Sequence, residues 1–437
     1  MAKIYKSLKI DSSFFTISFK KLKIDLMRTK KTIMIVGLII IIGSITAGIT
    51  TYLIINSVPK EESFESKIKN LMAEFEIPSL AAGIVDNESI VWSGGFGEQP
   101  EIDTVYMIGS ITKTFTATAV LQLVEKGLLN LNHDINDYLP FEVRNPFYPN
   151  ITITPLMLLS HRSGINPNLY WSLEYYLDDN MINWINDNLG WDEKILKLEP
   201  RPNLGNFLNE SLNPNGTYYN PINWDYEPGT QYQYSNAGFQ LLSYLIEEIT
   251  NQTYMEYLKE NILDPLNMTS TGFGFDMFTG RNAIPYEWLN NSNFEYPIYN
   301  INVTGAGNLR STIGDMANYL ITFINRGNFN GVQILGSEYV KLMQSIQVPL
   351  SGKSPEGFYN KGYGLGWQVF KDLIRGHDGA TPGFSSNMLF KRSRKGDFGM
   401  ILLFNRGSAL IYDANLLNKF IPKINQLIFN EAYGRLS

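Results

Sequence analysis

Three short stretches hold the residues whose types and spacing suit chemistry. In "GSITKTFTATAVLQLVEKG" (Gly109–Gly127), Ser110 stands three residues before Lys113. On a helix that spacing puts both side chains on one face, about 4.5 Å apart along the axis, so an amine can reach the hydroxyl. A serine hydroxyl is a weak nucleophile until a base or a nearby charge helps to take its proton. Lysine becomes such a base when burial lowers its pKa. The spacing alone discriminates little, because Ser18/Lys21, Ser57/Lys60 and Ser66/Lys69 share it without partners. Ser110 differs in its surroundings: Gly109 precedes it, the strand-like run "TVYMI" leads into it, and small apolar turns follow. These predict a buried helix with a reactive end.

The second stretch is "YEPGTQYQYSNAGF", where Tyr234 and Asn236 lie two apart, so an extended chain turns both to one side. Tyr148/Asn150 and Tyr218/Asn220 have the same spacing, and this signal too is weak by itself. The third is "GHDGATPGFSS", with His377 and Gly379 on a predicted strand; glycine there lets a substrate backbone come close.

Several elements must position these residues. "ESFESKIKNLMAEFE" (about 62–76) reads as a helix ended by Pro78, and "SLAAGIVDNESIVWSGGFGE" as a hairpin around Asp86-Asn87. A helix runs from Ser110 to Lys126, and "ITPLMLLSHRSGI" is a short helix stopping near Gly164. Ala237–Gln252 and "NLRSTIGDMANYLITFIN", with Thr312 as its cap, read as further helices. "YGLGWQVF", "LIRGHDGATPGFSSNMLFKR" and "GDFGMILLFNRG" read as successive antiparallel strands before a last helix. Strands at both ends with helices between predict one sheet assembled from the two termini, with a helical lobe inserted at roughly 130–330. An insertion at about 166–227 is rich in Tyr, Trp, Asn, Asp and Pro. Its Trp171, Tyr175 and Trp191 are either walls of an acyl pocket or ordinary packing.

Composition narrows the chemistry. The chain has 437 residues, no cysteine and three histidines, His133, His161 and His377. Disulfides, a thiol nucleophile and Cys-ligated zinc are excluded, and neither H-E-x-x-H nor a close His pair is present, so no metal and no cofactor is expected. No G-x-S-x-G occurs, which disfavours a Ser-His-Asp hydrolase of another fold. Residues 1–31 carry a net charge of +7 and the body from residue 60 a net of −13. An acidic body argues against nucleic acid as a partner. Thr32–Ile55 is uncharged and aliphatic, long enough to span a bilayer, and read as an uncleaved anchor rather than a signal peptide. The basic flank at 1–31 then stays in the cytoplasm, and residues 60–437 form a catalytic domain outside a single-pass cell membrane. Met27 before "RTKK" reads as a natural start, which would leave residues 1–26 untranslated. Eight N-x-S/T acceptors, Asn87 among them, leave glycosylation open.

Taken together with "LLSHRSGI", "GNLRSTIGDMANYL" and "YGLGW", the three stretches resemble the serine β-lactamase and penicillin-recognising superfamily, in its class C-like branch of β-lactamases, D,D-peptidases, D-aminopeptidases and esterases. The resemblance covers roughly residues 65–430, and its motifs are specific as a set. It implies an α/β (α+β) β-lactamase/transpeptidase-like fold and a serine hydrolase acting on a small-molecule or peptide acyl substrate. Ser110 is then the acylated nucleophile. Lys113 either keeps Tyr234 anionic or takes the serine proton itself. Tyr234 acts as base and then acid, which requires positive charge to pull its pKa down. Asn236 bonds the substrate and Lys113, and the N–H groups of Ser110 and Ala380 form an oxyanion hole.

The third motif departs from the K-T-G of the β-lactamases: His377-Asp378-Gly379 has no permanent cation, which weakens a site for a substrate carboxylate. Ester or amide cleavage, D-amino-acid peptides included, therefore ranks above β-lactam hydrolysis. His377 has a second reading as a satisfied strand histidine, and His161 reads as structural. A β-lactamase or D,D-carboxypeptidase proper, and a non-catalytic surface binding or scaffold relative, are the alternatives.

Overall fold

The computed structural model describes residues 12–57, 62–166, 178–189, 203–274, 276–302, 304–354, 357–409 and 412–435. It divides into two units, Met1–Ser63 and Phe64–Ser437. The first is one helix, α1 (Ser12–Ser57). Within it Lys23–Thr50 is long and apolar enough to cross a membrane by length and composition. Part of the expected basic tail is therefore helical and continuous with the apolar stretch.

The second unit is built on an eight-stranded sheet. Its strands are β1 (Ser79–Val85), β2 (Ile90–Gly97), β3 (Val348–Pro349), β4 (Asn360–Tyr363), β5 (Gln368–Phe370), β6 (Ile374–Thr381), β7 (Phe384–Lys391) and β8 (Phe398–Phe404). They lie in the order β2-β1-β8-β7-β6-β5-β4-β3. β1 pairs antiparallel with β8, Leu80 opposite Phe404, so the sheet joins the two ends of the domain as the sequence predicts. The hairpin turn forms because the Asp86 carboxylate accepts the backbone N–H groups of Glu88 and Ser89.

Alternation along the strands splits the core in two. Leu80, Ala82 and Ile84 join Met400, Leu402 and Phe404 beneath α2 (Phe64–Glu74) and the last helix. Ala81 and Val85 join Ile401, Leu403, Met388 and Phe390 on the other face, in the larger cluster. That cluster is continuous with α3 (Thr112–Glu125) and with the helices of the middle of the chain, so the helical segments share the sheet's core.

Among the other helices, three bear on the site: α4 (Pro155–Leu159), α5 (Asn236–Thr250) and α6 (Thr304–Gly307). α4 ends earlier than the sequence suggests: His161, at φ +57°, leaves the helix before Gly164 is reached. α5 starts where Ser235 caps it and stops at Asn251 in the left-handed region. α7 (Ile313–Ile324) begins, as expected, under a cap from the Thr312 hydroxyl. "YGLGWQVF" is two strands rather than one, broken at Gly366 (φ +71°), where a Cβ would lie 2.7 Å from Ala117 Cβ and 3.0 Å from the Lys113 carbonyl oxygen. Trp171, Tyr175 and Trp191 lie outside the described residues.

Candidate active site

Ser110 sits in a single 3-10 turn, Gly109–Ile111, at the mouth of α3. Gly109 has φ +52°, and a Cβ there would lie 2.7 Å from the Ala380 nitrogen and 3.0 Å from the Gly379 carbonyl carbon. A Cβ on Gly379 would in turn lie 2.1 Å from the Ile108 oxygen. Two glycines thus let the serine turn and β6 touch backbone to backbone. Ser386 on β7 fixes the contact by donating to the Ile108 carbonyl at 2.8 Å. The turn that carries Ser110 therefore lies directly against the Gly379–Ala380 backbone. β5 pairs with β6 only at Arg375 and Gly376, and leaves the Asp378–Thr381 edge unpaired on that side.

Lys113 is fully buried. Its Nζ donates to Ser110 Oγ at 3.0 Å and to the Ala306 carbonyl of α6 at 2.7 Å. Among the described residues these are the hydrogen bonds of Nζ, and neither is the expected one with Asn236. Nζ also lies 4.9 Å from the centre of the Tyr234 ring and 5.8 Å from that of Phe239. Burial holds its pKa well below the ordinary lysine value, against a smaller opposite pull from the Asp378 carboxylate. α6 can offer its carbonyl because Gly305 lets it pack on α5: a Cβ there would lie 2.5 Å from the Phe239 oxygen.

The Tyr234 pKa moves, on balance, opposite to the expected direction. Burial raises it well above 10 against a downward pull from Ser110, and Asp378 and Tyr232 push the same way as burial. A neutral phenol, not a tyrosinate, stands beside the serine. Asn236 is half-buried in the first turn of α5.

His377 is 1% exposed and both its ring nitrogens are taken, Nε2 by the Tyr363 hydroxyl at 2.9 Å and Nδ1 by the Asp378 carbonyl at 2.6 Å. This is the arrangement of a satisfied strand histidine. Burial lowers its pKa to about 4. Asp378 is half-buried on the neighbouring position of β6 and accepts from Gln368. His161, also 1% exposed, packs on Tyr234 with ring centres 4.3 Å apart. His133 is exposed in a turn.

Sequence reasoning brought forward Ser110, Lys113, Tyr234, Gly379 and Ala380, and the fold gathers these at one place. It missed the Ala306 carbonyl, Tyr363 and the charge of Asp378. The tyrosine of "YGLGW" and the aspartate inside the His-x-Gly stretch were in view, but nothing local in the sequence says what they touch. Among the described residues no group of His, Asp and Glu has the makings of a metal site. A groove of about 610 Å³ lined by Arg326, Lys341, Arg375 and Arg392 contains none of the site residues.

A family model described as Beta-lactamase matches residues 64–415. Protein flp of Staphylococcus aureus (strain MRSA252) is 27% identical over 393 residues, covering 86% of this chain and 68% of that protein. The putative penicillin-binding protein PbpX of Bacillus subtilis (strain 168) is 27% identical over 379 residues, covering 82% and 78%. Among solved structures, the octameric penicillin-binding protein homologue from Pyrococcus abyssi superposes with a TM-score of 0.65 at 25% identity, covering 84% of this chain and 77% of that one. The D-amino acid amidase from Ochrobactrum anthropi SV3 gives 0.62 at 19%, over 85% and 99%, a likeness of fold.

Proposed function

The chain belongs to the Beta-lactamase family, and on that premise we propose that it is a membrane-anchored, externally facing serine hydrolase cleaving an ester or amide through a Ser110 acyl-enzyme. The observation that carries the reading is the 3.0 Å hydrogen bond between Ser110 Oγ and the amine of a fully buried lysine.

The directions of the two pKa shifts support one order of proton steps. Burial favours the neutral amine of Lys113, the form that can act as base, and favours the protonated phenol of Tyr234. Lys113 takes the Ser110 proton as Oγ bonds to the acyl carbon. The Ser110 and Ala380 N–H groups take the charge of the tetrahedral oxygen. The leaving group departs with the phenolic proton of Tyr234, which Lys113 replaces. Water then attacks the acyl carbon, its proton returns through the same pair, and Ser110 is released protonated.

Asp378 speaks to the substrate. It is half-buried beside the open edge of β6 and its charge reaches Lys113, Tyr232 and Tyr234. An acyl donor carrying a carboxylate meets repulsion here, whereas a neutral or cationic one does not. We therefore place neutral or amine-bearing esters and amides ahead of β-lactams; an amino acid amide of the kind named for the Ochrobactrum structure is a suitable first amide to try. For the N-terminus, Lys23–Thr50 supports an anchor, with the basic flank on the cytoplasmic side.

The test is covalent labelling of the full chain in detergent with a fluorophosphonate, and mapping of the adduct by peptide mass spectrometry. One adduct on Ser110, absent in Ser110→Ala, is expected. A folded chain that takes no label would transfer the weight to a binding or scaffold role.

A further inference from the structure

Behind Tyr234 runs a buried row of side chains whose protons can be placed by elimination. The Ser235 backbone N–H can only donate, and it lies 3.1 Å from His161 Nδ1, so that nitrogen carries no proton. The Asp378 carbonyl can only accept, and it lies 2.6 Å from His377 Nδ1, so that nitrogen carries one. A neutral imidazole has one N–H. His161 is therefore protonated on Nε2, and His377 is bare on Nε2. The Tyr363 hydroxyl stands between these two atoms, at 3.2 and 2.9 Å. It accepts from His161 and donates to His377. Every donor and acceptor in the row is used, and His161, Tyr363 and His377 are each 1% exposed.

The row ties together the parts of the site. Ser235 is flanked by Tyr234 and Asn236, and the His161 ring packs on the Tyr234 ring. At the other end, His377 and the Asp378 carbonyl lie on β6 just before Gly379 and Ala380.

Resting on the serine-hydrolase reading, we propose that His161 and Tyr363 are positioning residues: one fixed run of hydrogen bonds holds His377 as the neutral Nδ1–H tautomer and keeps the Tyr234–Asn236 segment in register with the Gly379–Ala380 backbone. Protonating either histidine would set a donor against a donor and break the row. Among the groups acting on it, burial is the largest and disfavours the charged form of both rings; any positive charge on Lys113 acts the same way, Asp378 opposes it at His377, and Tyr232 and Tyr234 are neutral phenols.

Three histidines make the row directly readable by side-chain 15N NMR of the full chain in detergent, with His133→Gln and His161→Asn giving the assignments. His161 is expected as Nε2–H and His377 as Nδ1–H, both unchanged between pH 5.5 and 8. Opposite tautomers, or ordinary titration of either ring, would overturn the proposal. Tyr363→Phe removes both central bonds. It is expected to lower kcat about 10- to 100-fold with KM within about threefold, as small misplacements at a site do, and to let His377 titrate. His161→Asn, which tolerates the left-handed backbone and can still accept from Ser235, is expected to lower kcat likewise. Wild-type kcat in a folded form of either variant refutes the positioning role. Absence of any Ser110 adduct in the wild type would sink the hydrolase reading instead, and leaves the tautomers to be judged on their own spectra.

Discussion

Replacing Gly109 with alanine tests the backbone contact on which the oxyanion hole depends. The new Cβ would stand 2.7 Å from the Ala380 nitrogen, about 0.7 Å inside the 3.4 Å at which ordinary contact begins, and the atoms it meets are backbone. Either the serine turn or β6 must move by that amount. Donors work at about 2.7–3.1 Å from the oxyanion, so a shift of this size takes the Ala380 N–H out of range. Losing one such donor costs roughly 10²- to 10³-fold in kcat. The left-handed conformation of Gly109 adds about 1–2 kcal/mol of strain for alanine, which lowers the melting temperature by a few degrees without unfolding the domain. Gly127→Ala is the control: its φ is +71° and nothing lies within 4 Å of the added Cβ, so it carries the strain without the collision. The assay is steady-state hydrolysis of a neutral ester alongside thermal melts of both variants. The expected result is a melting shift in both and a loss of kcat in Gly109→Ala alone. A Gly109→Ala enzyme within threefold of wild type would refute the oxyanion assignment of the Ser110 and Ala380 amides.

Three further outcomes are expected. Lys113→Met removes the base but keeps the volume; kcat falls about 10²- to 10⁴-fold, and the melting temperature changes little, because relief from burying an amine opposes loss of the bond to the Ala306 carbonyl. Asp378 raises the Lys113 pKa, so Asp378→Asn moves the acid limb of kcat/KM to lower pH; it also raises activity on a carboxylate-bearing ester relative to its neutral isostere, and an unmoved limb with unchanged selectivity would remove Asp378 from the site. His161 and His377 have folded pKa values below the ordinary 6.5 or so. The unfolded chain therefore takes up protons that the folded one refuses. Their stabilisation is complete above that range and is lost as pH falls through it, by up to about 1.4 kcal/mol per unit for each ring. Melts between pH 8 and 5 check this, and a melting temperature that rises on acidification contradicts it.

Much of the frame was legible because it is local. The short apolar runs "SLAAGIV" and "FGMILLF", the Asp86-Asn87 turn and the Thr312 cap each need only their neighbours to be understood. Helix ends were read less well. α4 stops at Leu159 because His161 turns into the left-handed region, where the folded chain gives its ring a place between Tyr234 and Tyr363. No propensity in "LLSHRSGI" contains that.

The sequence by itself determined which residues are available for chemistry: a serine and a lysine on one helix face, a tyrosine near an asparagine, a glycine-bearing strand, and no thiol or metal set. It also set the apolar length of the N-terminal helix. Protonation and partnership were decided only by the tertiary structure. The Lys113 pKa is lowered because the middle of the chain buries the amine, that of Tyr234 is raised for the same reason, and His377 Nε2 is taken by Tyr363. Those states depend on desolvation and on contacts between residues distant in the chain, such as Lys113 and Ala306, 193 positions apart. A local pattern carries neither the dielectric nor the neighbour, and so it cannot carry the charge.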